Sequence, residues 1–152
     1  MALDLAHHMF AALEQLRIHP TGKRIRAYTD GALAVDSTWA VIVWEPRRVV
    51  PSYAVPVEDL TVSLADPGEA LEGGAEHPVR MGEGPPVLDP RSPFSVHSTA
   101  GQSFDLAAGR VLPSAAFSPD DPDLAGYVVL DFAAFDEWRE EDELLVAHAR
   151  DP

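Results

Sequence analysis

Fourteen prolines and ten glycines interrupt a chain of 152 residues. Proline fixes φ and removes a backbone donor, and glycine supplies turns, so long unbroken elements are excluded. A fold of many short elements and many corners follows, which favours a mainly β architecture over a helical bundle. The apolar fraction of 46% with 24% charged residues suffices for one ordinary core, and residues 1–152 read as a single domain.

Periodicity places the elements. Leu5, Met9, Ala12, Leu13 and Leu16 recur at helical spacing and predict an N-terminal helix over residues 3–17, ended by His19-Pro20-Thr21-Gly22. "KRIRAYTDGALAVDS" reads as a hairpin. A two-residue loop would set Ile25 against Asp36 and mix the faces. A three-residue loop Thr29-Asp30-Gly31 pairs Ile25 with Val35 and Ala27 with Leu33, and sets Arg24 against Asp36. "TWAVIVWEP" is apolar on both faces and predicts a central strand. In "VPSYAVPVEDLTVSL", Pro51 and Pro56 argue for an edge or a bulge. Residues 65–93, rich in Gly, Pro and Glu, read as a long loop. "FSVHS" and "SFDLA" predict a second hairpin and "GYVVLDF" a buried strand. "FAAFDEWREEDELL" reads as a short C-terminal helix with Phe132, Phe135 and Trp138 on one face, and "LVAH" as a return to the sheet.

Composition narrows the partners. The absence of cysteine excludes disulfides, thiolate catalysis and cysteine-built metal centres, and fits a reducing, cytoplasmic setting. "MALDLAHHMFAALEQL" has no basic leader region, and no run reaches the roughly 18 apolar residues of a membrane span. The net charge of −14 repels nucleic-acid backbones and anionic membranes. Yet from Arg17 to Arg48 six basic residues face three acids, whereas from Val49 onward five face twenty. A local basic patch on an acidic body suits a small anionic ligand.

Candidate site residues cluster in "WEPRRVVPSYAVP". Arg47 and Arg48 beside Trp44 and Tyr53 offer a planar clamp for a carboxylate or phosphate with aromatic walls, which Arg24, Arg26 and Tyr28 would extend. The alternative is a solvated turn in which Glu45 pairs with one arginine. His97 is the candidate general acid or base, against a structural histidine bonded to backbone. The acidic run Glu137, Glu140, Glu141, Asp142 and Glu143 reads as a solvated helix face rather than a metal site. No phosphate loop, paired-aspartate metal motif or G-x-S-x-G elbow occurs, so neither metal nor cofactor is expected.

"RIRAYTDGALAVDSTWAVIVWEPRRVVPSYAVPVEDL" and "GYVVLDFAAFDEWREEDELLVAHARDP" together resemble the domain of unknown function 427 family, also labelled nucleotidyltransferase-like. The matching positions are Arg26, Gly31, Asp36, Ser37, Pro51, Tyr53, Pro56, Glu58, Asp59, Gly126, Tyr127, Trp138, Glu140, Glu141, Asp142, His148, Asp151 and Pro152. The resemblance implies a β-tent-like fold, small antiparallel sheets leaning over a cleft, and places His148 in that cleft. The family's T-x-C-P-x-K-G stretch is replaced by "SVHSTAGQS", with His97 near the cysteine position, Ala100 near the lysine position and Gly101 kept. Chemistry relying on that cysteine and lysine is therefore absent, and nothing in the residues supports nucleotidyl transfer.

The expected protein binds an organic anion in a cleft between the sheets. Arg26, Arg47 and Arg48 would hold it, Trp44, Tyr53 and His148 would line it, and His97 would transfer a proton in an isomerase, lyase or cyclase reaction. The alternatives are a non-catalytic interaction module, whose N-terminal helix would form a homodimer or partner surface, and the nucleotidyltransferase label.

Overall fold

The computed structural model describes residues 1–68, 78–80, 86–88 and 91–150. It is mainly β, as the prolines and glycines require. One helix, α1 (Leu5–Ala12), precedes β1 (Arg17–Pro20), β2 (Ile25–Thr29), β3 (Ala32–Ser37), β4 (Val41–Trp44), β5 (Ser52–Pro56) and β6 (Ser63–Ala65). A small hairpin, β7 (Pro78–Arg80) and β8 (Pro86–Leu88), follows, then β9 (Gly101–Ala107), β10 (Val111–Pro119), β11 (Tyr127–Leu130), β12 (Glu137–Glu140) and β13 (Glu143–Leu144). A seven-stranded sheet runs β1-β4-β5-β11-β10-β9-β6, and a four-stranded sheet runs β13-β12-β2-β3.

The seven-stranded sheet is covered on both faces. Ile42, Tyr53, Val55, Val128 and Leu130 pack toward the four-stranded sheet, against Ile25, Ala27, Val35 and Trp138. Val43, Ala54, Phe117 and Val129 point the other way and are covered by Leu16, Phe94 and Leu124. β4 is thus internal and doubly covered, as its apolar run predicts, but it stands second in the sheet, beside the edge strand β1, rather than at its centre. Most of the space between the two sheets is filled by side chains, and at one edge a cavity opens between His19, Pro20 and Ile42 of the first sheet and Glu140 of the second.

Several expectations are corrected. The helix ends at Ala12, because Arg17–Pro20 is drawn into register with Trp44–Val41 as β1. The first hairpin closes with a two-residue loop: Thr29 pairs with Ala32, and Asp30 and Gly31 both have positive φ, 50° and 78°. The mixed faces are avoided by a bulge beyond Tyr28 and Leu33, which sets Ala27 against Val35 and Ile25 against Ser37 and buries both Ala34 and Val35. The Arg24–Asp36 contact still forms, at 2.7 and 2.8 Å. β5 is internal, between β4 and β11, with Pro51 before it and Pro56 as its last residue. "FSVHS" is irregular, and the second hairpin is β9–β10. The expected C-terminal helix is a single 3-10 turn, Phe132–Ala134, followed by β12 and β13, and Leu145–His148, expected to return to the sheet, joins none. Of the long loop over 65–93, residues 69–77, 81–85 and 89–90 lie outside the described residues, as do Asp151 and Pro152.

Candidate functional site

Strand alternation puts chemistry at one end of the seven-stranded sheet. Val41 and Val43 face away from the four-stranded sheet, so the next residue of that phase is Glu45. The same phase on β5 gives Ser52 before Ala54, and on β11 gives Asp131 after Val129. Because β4, β5 and β11 are antiparallel neighbours, with Val43 opposite Ser52 and Tyr53 opposite Leu130, these three polar residues gather at the same end. The segment Arg91–Ser98 crosses over them.

Glu45 is 4% exposed and organises that segment. Its Oε2 faces His97 Nδ1 at 3.0 Å, its Oε1 accepts the Ser98 N–H at 3.0 Å, and Arg48 Nε lies 3.9 Å away. A carboxylate accepts, so Nδ1 of His97 carries a proton and the ring is held in one orientation. The imidazole lies flat on Phe117, ring centres 3.7 Å apart and 8° from parallel, with Phe94 edge-on at 5.0 Å. Arg48 Nη2 donates to the carbonyls of Pro93 (2.9 Å) and Val96, and Ser98 Oγ donates to that of Pro46 at 2.6 Å. Arg17 Nη2 in turn donates to the Arg48 carbonyl at 2.7 Å.

Beside this network opens a cavity of about 360 Å³. Arg48, Val50–Ser52, Arg91–Phe94, Asp131–Ala133, Ala147 and His148 line it. His148 is exposed and its Nδ1 donates to the Ala149 carbonyl at 2.7 Å. A second cavity, of about 370 Å³, is lined by His19, Lys23, Glu140 and Arg150 among others. Its charges answer one another: Glu140 lies 2.8 Å from Lys23 and 3.7 Å from Arg150, and Arg150 lies 2.6 Å from Glu143. The strand-end cavity is the better candidate site, because charged and hydroxyl groups from four separate segments converge there.

Burial raises the pKa of the Asp131 carboxyl, while the Ala133 N–H and the charge of Arg48 pull it partly back. The folded chain holds this proton more tightly than the unfolded one. The contribution to stability is therefore complete below the ordinary carboxylate pKa and is lost as pH rises through the raised value. Asp131→Asn keeps an acceptor for the Ala133 N–H, 3.1 Å away, and removes the ionisable group. The variant is expected to melt a few degrees above the parent at neutral pH, and thermal melts should show the gap closing below about pH 4. Equal melting at neutral pH would contradict a burial cost.

The residues expected from sequence divide. Arg48 and His148 line the cavity; His97 does not line it, but contacts Phe94, which does, edge-on at 5.0 Å. Arg47 is the turn residue, with φ 66°; its N–H donates to Leu13 and its carbonyl accepts from Leu88. Trp44 packs against the core between the sheets, opposite in phase to Glu45. Tyr53 is a core residue, 1% exposed, whose hydroxyl accepts the Arg150 N–H at 3.2 Å. Arg26 lies on the outer face of the four-stranded sheet, bonded to Tyr28, Glu141 and Asp142. Arg24 and Arg26 therefore do not extend the Arg48 cluster; Arg17 does. Glu45, Ser92, Arg91 and Asp131 were missed as site residues. For Glu45 and Asp131 the signal was available: each continues the buried phase of an apolar strand by one step.

Among the described residues, no group of three or more His, Asp or Glu side chains is placed to hold a metal ion, and no helix is long and apolar enough to cross a membrane. The chain matches no protein-family model and no curated protein.

Proposed function

We propose that the chain binds a small organic anion in the strand-end cavity, rather than between the sheets. The observation that carries this reading is the convergence of Arg48, Arg91 and His148 on one cavity of about 360 Å³, in a chain whose net charge is −14. Positive charge there would concentrate an anion that the rest of the surface repels. Proton transfer without a cofactor is the reaction class the residues support. His97, with Nδ1 committed to Glu45, offers Nε2 as base or acid, and the half-buried Asp131 carboxyl is a second proton carrier near it. An isomerase, lyase or cyclase acting on a metabolite in the cytoplasm fits that inventory.

Membership of the domain of unknown function 427 family belongs to this proposal. Its support is the way the motif residues bond to one another and to their neighbours: Ser37 donates to Asp59 at 2.6 Å, and Asp36 and Glu141 both accept from Arg24, beside the motif's Arg26. Those residues hold the sheets rather than the cavity, so the family's nucleotidyltransferase label gains nothing from them.

A second reading, a non-catalytic interaction module, is favoured by α1. None of its residues is buried, and Leu5, Met9 and Phe10 are exposed. An anion screen separates the two. Isothermal titration of citrate, succinate and glycerol phosphate into the whole chain is expected to give binding, and Arg91→Gln, at an exposed position, should weaken it about tenfold. No heat from any anion in such a panel would sink the site and leave the interaction module.

A further inference from the structure

Within the segment that covers the strand ends, two buried side-chain atoms have no hydrogen-bond partner: Ser92 Oγ and His97 Nε2. Ser92 is 7% exposed and the His97 side chain 8%. A buried polar atom left unpaired costs about 1–3 kcal/mol, and native structures keep few of them. Two such atoms five residues apart in one covering segment mark a place where something polar is meant to bind.

Their chemistry differs and is complementary. The proton on Nδ1 of His97 is directed at Glu45, so a neutral ring presents a lone pair at Nε2 and accepts a hydrogen bond there. The Ser92 hydroxyl both donates and accepts. Together they match a group that gives one hydrogen bond and takes another, which is what an alcohol does. A carboxylate oxygen gives none. An ammonium would give but not take, and would set a cation beside Arg48 and Arg91, which line the same cavity. Ser92 lines the cavity directly; His97 does not, but its ring meets the half-buried ring of Phe94, which does, edge-on at 5.0 Å.

We infer that the ligand of this cavity is a hydroxycarboxylate, its hydroxyl bridging Ser92 Oγ and His97 Nε2 once the Phe94 ring turns aside, and its carboxylate facing the arginine side. The inference rests on the anion site proposed above and adds the substrate class. It also gives His97 a defined task, since the atom that accepts the hydroxyl proton in a hydrogen bond is the one that would remove it.

The test is a set of matched pairs: each enantiomer of malate against succinate, and each enantiomer of lactate against propionate, titrated into the whole chain by calorimetry. Sites built to bond a hydroxyl discriminate strongly against analogues lacking it, so one enantiomer of the hydroxy acid should bind at least about tenfold tighter than its partner. Ser92→Ala should remove most of that preference and leave succinate binding unchanged. On the unaltered chain, the imidazole nitrogen spectrum of His97 should move at Nε2 with malate and stay put with succinate. Equal binding of malate and succinate overturns the inference while leaving the anion site standing. A His97 signal indifferent to malate overturns it too, as does aspartate binding as tightly as malate. If no anion binds at all, the site itself has failed and the inference falls with it.

Discussion

Trp138→Ala is expected to cost about 3–5 kcal/mol of stability. The side chain is 1% exposed and belongs to β12 of the four-stranded sheet, while its partner Tyr53 belongs to β5 of the seven-stranded one, ring centres 5.4 Å apart. Phe132 stacks on the indole at 5.3 Å and 9°, and Phe135 meets it edge-on at 5.0 Å. Nε1 donates to the Phe132 carbonyl at 2.9 Å, so the 3-10 turn that brings Asp131–Ala133 to the cavity hangs on the same residue. Alanine would open a void among rigid rings that cannot collapse into it. Against a total of about 5–15 kcal/mol for a domain of this kind, most of the margin would go. Urea unfolding measures it directly. Trp138→Phe, which keeps a ring and loses the N–H, should fall well short of the alanine variant. A loss below about 1 kcal/mol for alanine would mean that the sheets are held elsewhere.

The second large effect is expected at Glu45. Glu45→Ala leaves the Ser98 N–H and His97 Nδ1 without their acceptor and the Arg48 guanidinium without its buried counter-charge. Removing one partner of a buried charged cluster costs about 3–5 kcal/mol, because the remaining groups stay desolvated. Glu45→Gln separates charge from shape: it can still accept from Ser98, so about 1–2 kcal/mol is expected. Denaturant midpoints of the two variants, set beside the parent, check both figures. Equal, small losses would show that water replaces the carboxylate at no cost, and the segment over the strand ends would then be loosely held.

How much of this was legible differs by element. β4 was readable because both its faces are apolar, and the mainly β class because prolines and glycines leave no room for long helices. The C-terminal stretch was misread because its charges look helical. Glu137 and Arg139 sit two apart and bond at 3.1 Å, a spacing that shares a face in a strand and not in a helix, while Trp138 and Glu140, of the opposite phase, are buried. The hairpin register hid behind a bulge, which no face count from the sequence reveals. Around the cavity, arginines draw attention because they are rare in the acidic chain; Arg48 lines it, and His97 contacts its lining residue Phe94. Tyr53 and Trp44 do neither, since an aromatic beside a charged turn can as readily face the core. Glu45 is legible only through the phase of β4: by composition alone a carboxylate just past a strand reads as a solvated turn, until the covering segment is placed over it.

The place of β11 in the strand order has a consequence for how the molecule is made. It is the last strand of the seven-stranded sheet in the chain, yet it lies between β5 and β10, near the middle. During synthesis, β5 and β10 must wait with open backbone edges until Tyr127–Leu130 arrives to join them, and open edges invite pairing with other chains. Nor can the cavity exist before then, because Asp131 rides in on the end of that strand. Assembly of the sheet and assembly of the site are one late event, driven by contacts distant in sequence, which slows folding relative to a sheet built of successive hairpins.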